Sequence, residues 1–98
     1  MKVEFDDEHL KELERNPRST AGHGAPVDRG FRKVIQVIRA AQDERDLYAL
    51  RSLHFEKLKG ERDYQHSLKI NDQWRLIVEL RTAEDCKRIG VISIEDYH

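Results

Sequence analysis

Glu95-Asp96-Tyr97-His98 close the sequence behind an apolar run from Ile89 to Ile94. An acid, a phenol and an imidazole in a row are poorly suited to a core and well suited to RNA chemistry. The carboxylate can orient, the ring can stack on a base, and the imidazole titrates near neutral pH. A solvated, frayed chain end is the plainer account of the same residues. A second imidazole, His54, stands beside Lys57 and Lys59 in LHFEKLKG, residues 53 to 60. Two histidines, two lysines and an Asp-Tyr pair suggest a small ribonuclease.

Other candidates divide into those that add to this chemistry and those that do not. Arg75 alternates against Trp74, Leu76 and Val78, so it faces away from them. It is either an ordinary strand arginine or a planar donor that holds a phosphate by two parallel bonds. Lys57 and Lys59, two apart, can share one face of an extended segment and follow a phosphate backbone, or serve as plain surface charges. His66, inside a strand, reads as structural. His9, in an acidic helix, reads as exposed, and His23, between two glycines, as a mobile surface residue. His54 and His98 could approach with Asp96 as metal ligands, but no close pair such as His-x-x-x-His or Cys-x-x-Cys is present. Gly22 and Gly24 do not follow a strand, so they make no phosphate loop. Ser67 and Ser93 lie within strands and lack the turn of a serine nucleophile.

The composition narrows the setting. Ninety-eight residues make one domain with one modest core. The single cysteine, Cys86, cannot form an intramolecular disulfide, and in TAEDCKR it reads as a loop residue whose acidic neighbours would raise its pKa. No apolar stretch approaches membrane-spanning length and the first residues lack a signal peptide's apolar region, which points to the cytoplasm. The net charge of −1 argues weakly against nucleic-acid binding. Charge is unevenly spread, however. Acids crowd the start (Glu4, Asp6, Asp7, Glu8, Glu12, Glu14), whereas bases slightly outnumber acids between Arg51 and Arg81. Affinity for RNA should be modest unless a larger partner such as the ribosome presents it.

The elements that must position these groups follow from periodicity. Lys2 to Phe5 is a short strand, and Asp6 or Asp7 can cap a helix running to about Arg15 with Leu10 and Leu13 inward. Asn16-Pro17 ends it, and residues 18 to 26 form a flexible connection. Phe31, Val34, Ile35, Ile38 and Ala41 mark the core stripe of a second helix, with Arg32, Lys33, Gln36 and Arg39 outward. After a polar break at 42 to 46, Leu47, Tyr48 and Leu50 should approach the core again. Three strands follow: Tyr64 to Ile70, a tight turn at Asn71-Asp72, Gln73 to Arg81, a polar connection at 82 to 87, and Arg88 to about Glu95. The order β-α-α-β-β-β predicts an α+β fold, with two N-terminal helices on one face of a mainly antiparallel sheet.

LHFEKLKG, SLKINDQWRL and the final IEDYH, in that order and spacing, resemble the HigB-type branch of the RelE/ParE toxin superfamily of type II toxin–antitoxin pairs. The likeness runs from the second helix onward; the N-terminal third fits in its general pattern. Where relatives often carry a tryptophan or tyrosine before the Ser-Leu pair, this chain has His66. The resemblance implies a single RelE-like, microbial-RNase-like domain over residues 1 to 98. It implies a ribosome-dependent endoribonuclease that cuts messenger RNA in the 70S A site by metal-free acid–base chemistry, with no cofactor. It also implies a helix-turn-helix, HigA-like antitoxin held in an oligomeric complex, and no membrane partner. The family's catalytic positions fall on His54, Asp96, Tyr97 and His98, with Lys57 and Arg75 as supporting cations; Arg75 joins the catalytic candidates, and Lys59 and Arg62 join Lys57 as candidates for RNA phosphates. The ParE-like branch, which inhibits DNA gyrase and cleaves nothing, is the alternative on the same fold, as is an inactive remnant that binds RNA or the antitoxin.

Overall fold

The computed structural model describes residues 1 to 84 and 86 to 96. Strand β1 (Lys2–Phe5) leads into helices α1 (Glu8–Arg15), α2 (Ala25–Ala40) and α3 (Glu44–Ala49), and then strands β2 (Glu56–Lys57), β3 (Gln65–Lys69), β4 (Trp74–Ala83) and β5 (Cys86–Asp96). The strands form one sheet in the order β1-β5-β4-β3-β2; β1 runs parallel to β5 and the other pairs are antiparallel. The architecture is the expected α+β fold, with two elements that periodicity did not mark. Helix α3 has only six residues and buries only Leu47, while Tyr48 and Leu50 stay exposed. Strand β2 is two residues long, too short for any alternation to register.

Local chemistry explains where each helix starts and stops. Asp7 caps α1, its Oδ1 accepting the amides of His9 and Leu10 at 2.7 and 3.3 Å. Helix α2 begins at Ala25, inside the stretch expected to be a connection, because Pro26 suits a first helical turn. Arg32, expected outward, instead donates to the carbonyls of Leu13, Asn16 and Ser19. It thereby satisfies the carboxyl end of α1 and fastens the following loop to α2. The loop is tied again where Asp28 accepts the Ala21 amide. Gly22 and Gly24 take positive φ angles of 86° and 101°, and the bend between them brings His23 onto Trp74, with ring centroids 4.3 Å apart. The expected mobile surface histidine is half-buried on a tryptophan.

One apolar layer joins the helices to the sheet. Leu10, Leu13, Phe31, Val34, Ile35, Ile38 and Leu47 pack with Leu68, Leu76, Val78, Ile89 and Val91 in a single cluster. The predicted stripes of α1 and α2 are therefore core. His66 lies on this helix-facing side of β3, buried, with its ring parallel to Phe55 at 4.7 Å. The connection expected at residues 82 to 87 is shorter than its polarity suggests: β4 continues to Ala83 and β5 resumes at Cys86, with these two residues paired. Cys86 is thus an exposed strand residue rather than a loop residue.

The other side of the sheet, near β1, carries an ion network. Arg81 pairs with Asp6 at 2.7 Å, Glu79 at 3.1 Å and Glu4 at 3.4 Å, and Arg88 pairs with Glu4 at 3.1 Å. The Arg81 guanidinium lies over Gly90, where any Cβ would overlap it. Gly90→Ala should therefore push the Arg81 guanidinium aside and lower stability by no more than about 1 kcal/mol, the scale of the exposed ion pairs it would disturb. In urea unfolding, the Gly90→Ala/Arg81→Ala double variant should lose less than the sum of its parts.

A pH effect follows from His66. Burial, reinforced by the nearby Lys57 charge and opposed by Glu44, lowers its pKa from 6.5. The unfolded chain therefore takes up this proton more readily than the folded one. The His66 contribution to stability is fully present above about pH 6.5 and is lost as pH falls from there toward the depressed folded value. Urea midpoints measured from pH 7 to pH 5 should fall less steeply for His66→Phe, which keeps an aromatic ring on Phe55.

Candidate functional site

The C-terminal half of β5 departs from simple alternation. Val91 pairs with Val78 and Ser93 with Ile77, so Ile92 is an extra residue without a partner on β4. This bulge exchanges the faces of everything after it. Before it, Ile89 and Val91 point to the helices; after it, Ile94 does, opposite Leu76, and Ser93 and Glu95 point away. The Val91-Ile92 pair, two apolar residues side by side, is the sequence signal of that change of phase.

Ser93 and Glu95 therefore join Ile77 and Arg75 on the face away from the helices. Across the sheet this face continues through Ser67 and Glu56, which pair in register. Arg75 lies directly opposite Glu95, on the side that alternation with Trp74 predicts. A cleft of about 220 Å³ opens here, floored by Ile77, Ser67 and Arg75 and closed at one side by Glu95 and Asp96. Leu58 and Arg62, from the connection between β2 and β3, form the opposite side. That roof explains why Ile77, Gln65 and Ser67 are buried although no helix covers them.

Arg62 bridges the cleft. Its two terminal nitrogens donate to both Glu95 oxygens at 2.9 and 2.8 Å, and its Nε donates to Gln65 Oε1 at 2.9 Å. The guanidinium, helped by the Ser93 hydroxyl, holds the Glu95 carboxyl below its usual pKa, against the effect of burial. Glu95 reciprocally raises the pKa of Arg62. Asp96 pairs in register with Trp74 and accepts from Gln73 Nε2 at 3.2 Å. Two guanidinium groups, the carboxylates of Glu56, Glu95 and Asp96 and the Ser67 hydroxyl thus line one cleft beside the end of β5. Chemically this is a place where an anion can compete with Glu95 for a bidentate arginine.

The residues expected to act together are only partly gathered. Arg62, Arg75 and Asp96 line one cleft. His54 ends the short 3-10 helix Arg51–Leu53 in a left-handed conformation, φ 48°, exposed and outside the cleft lining. Lys57 pairs with His66, which places it on the helix side of the sheet rather than beside Arg75. Lys59 is exposed, just before the 3-10 helix Gly60–Arg62. Tyr97 and His98 lie outside the described residues. Sequence reading missed Glu95 as the partner of Arg62 and Glu56 as part of the lining, because both depend on register. Among the described residues, no group of three or more His, Cys, Asp or Glu is placed to hold a metal ion.

Comparison with known proteins supplies the family. The model of HigB-like toxins, described as the RelE-like toxin of the type II toxin–antitoxin system HigB, matches residues 3–90. The match begins within β1, so it takes in the N-terminal third, and it stops short of Glu95. Among solved structures, a YoeB/ParE toxin from Agrobacterium tumefaciens is similar with a TM-score of 0.61 and 19% identity, over 100% of each chain. At that identity the likeness is one of fold. No curated protein matches. The family match favours the HigB branch over the ParE-like one. With 3–90 of its residues matched, the chain belongs to the HigB-like family of RelE-like toxins of type II toxin–antitoxin systems.

Proposed function

We infer that this toxin is a ribosome-dependent endoribonuclease that stops translation by cutting messenger RNA. The observation that carries the reading is the meeting of Arg62, Arg75 and Asp96 in one cleft, at the strand end that continues in sequence to Tyr97 and His98. In the proposed reaction a base removes the ribose 2′-hydroxyl proton, the oxygen attacks the adjacent phosphorus, and the 5′-oxygen leaves with a proton from an acid. The products are a 2′,3′-cyclic phosphate and a free 5′-hydroxyl.

His98 and His54, the latter reaching the substrate from outside the cleft lining, are the acid–base pair of this proposal, because imidazole exchanges protons near working pH. Arg75 stabilises charge building on the phosphoryl oxygens, and Arg62 joins it when phosphate displaces the Glu95 carboxylate. Asp96 orients substrate or an imidazole, and Tyr97 stacks on a base. Lys59, and Lys57 around the edge of β2, contact the RNA backbone farther out. The ribosomal A site presents the messenger, which offsets the modest charge of the chain. The cognate partner is a helix-turn-helix antitoxin, in an oligomeric complex in the cytoplasm.

A translation reaction programmed with a defined messenger tests the reading, with 5′ ends mapped by primer extension. Wild type should give ribosome-dependent cuts, and His98→Ala should reduce them about a hundredfold. Intact messenger at concentrations that arrest growth would sink the nuclease and turn attention to gyrase.

The two arginines should separate in the same assay. Arg75→Ala should cost about a hundredfold in cleavage, with little rescue by Arg75→Lys, which lacks the planar fork. Arg62→Ala should cost about tenfold, because phosphate must displace the Glu95 carboxylate before Arg62 can act.

A further inference from the structure

A second cavity lies on the other side of the same strand end. It measures about 300 Å³ and is lined by Asp7, His9, Thr20, His23, Ser93 and Ile94, among others. Ser93 and Ile94 directly precede Glu95 and Asp96, which line the arginine cleft. Ile94 and Asp96 are about 7 Å apart along an extended strand. A chain of nucleotides with a phosphate on the arginines of the cleft, beside Asp96, can therefore place its next base at Ile94.

The cavity has what a base needs. His23 offers a flat ring, held by the two positive-φ glycines and backed by Trp74 at 4.3 Å. Asp7 caps α1 through Oδ1 alone, which leaves Oδ2 outside the cap. The Thr20 hydroxyl, which accepts from the Gly22 amide at 3.1 Å, adds a second oxygen. A carboxylate only accepts hydrogen bonds at neutral pH, so it selects a base that donates.

We propose that this cavity is a nucleobase subsite beside the cleavage cleft, in which His23 stacks on the base and Asp7 accepts from its exocyclic amine. The proposal rests on the nuclease reading for its place in the reaction, but its binding test does not. Trp74 is the only tryptophan in the chain, so its emission reports directly on the ring packed against it.

The test is a fluorescence titration with adenosine 3′-monophosphate and inosine 3′-monophosphate, which lacks the amine. The adenosine nucleotide should give a saturable change in Trp74 emission and bind more tightly than the inosine nucleotide. His23→Ala should weaken adenosine binding about tenfold, within the range of a lost aromatic stack, and His23→Phe should restore it. Asp7→Asn keeps a capping oxygen and should erase the preference for the amine. In wild type, proton NMR should show the His23 ring shifting with the nucleotide, a readout that needs no variant. An emission and a ring signal that ignore the nucleotide, equal affinity in wild type and His23→Ala, or no preference between the two nucleotides would overturn the subsite. Binding without messenger cleavage would support the subsite and remove the nuclease reading. Cleavage without binding would remove the subsite alone.

Discussion

Strand β5 has neighbours on both sides, and the rest of the molecule is arranged around what that demands. It pairs with β1 in parallel from Arg88 to Val91 and with β4 in antiparallel from Cys86 to Asp96. Its first half must give Ile89 and Val91 to the core, and its last residues must present polar groups away from it. A regular strand would send Ser93 and Glu95 into the helix layer, where an ionised carboxylate is costly to bury. One extra residue at Ile92 resolves the conflict. It keeps Ile94 in the apolar layer and sets Glu95 across from Arg75.

The face away from the helices is consequently divided by charge. Toward β1, Arg81 and Arg88 are consumed by Glu4, Asp6 and Glu79. Hydrogen bonding to the Arg81 guanidinium holds the Asp6 carboxyl below its usual pKa. Toward β3, Arg62 has Glu95 and a neutral amide as its partners. A net charge of −1 therefore says little about either end. The acids that dominate the first residues act largely on one flank of the sheet and leave the other to its arginines.

Much of this was legible in the residues, and the parts that were not share a cause. The stripes of α1 and α2, an aspartate cap at Asp6 or Asp7 and the outward turn of Arg75 follow from spacing alone, since each depends on neighbours close in sequence. Motif order likewise pointed to the toxin family. Helix α3 and strand β2 are too short for a period to show. The Arg62–Glu95 pair joins residues 33 positions apart through a bulge, and Arg32 turns inward because the Leu13 and Asn16 carbonyls at the end of α1, and the Ser19 carbonyl of the loop after it, take its donors. Lys57 falls on the helix side, away from Arg75, by the register of a two-residue strand. Periodicity reads a face; it does not read a partner across the sheet.

The Arg32 clamp carries a consequence for how such a chain can vary in length. One guanidinium measures the distance from Leu13 to Ser19, so an added or deleted residue in that interval would strip a helix end of its donor. Beyond Ser19 the constraint relaxes until the Ala21 amide meets Asp28, and the glycine bend itself carries few backbone ties. Insertions should gather between Gly22 and Gly24 rather than ahead of them, as they do at exposed loop tips generally. Length variation in this loop would then fall on the very segment that carries His23, and would alter the cavity beside β5 without disturbing the core.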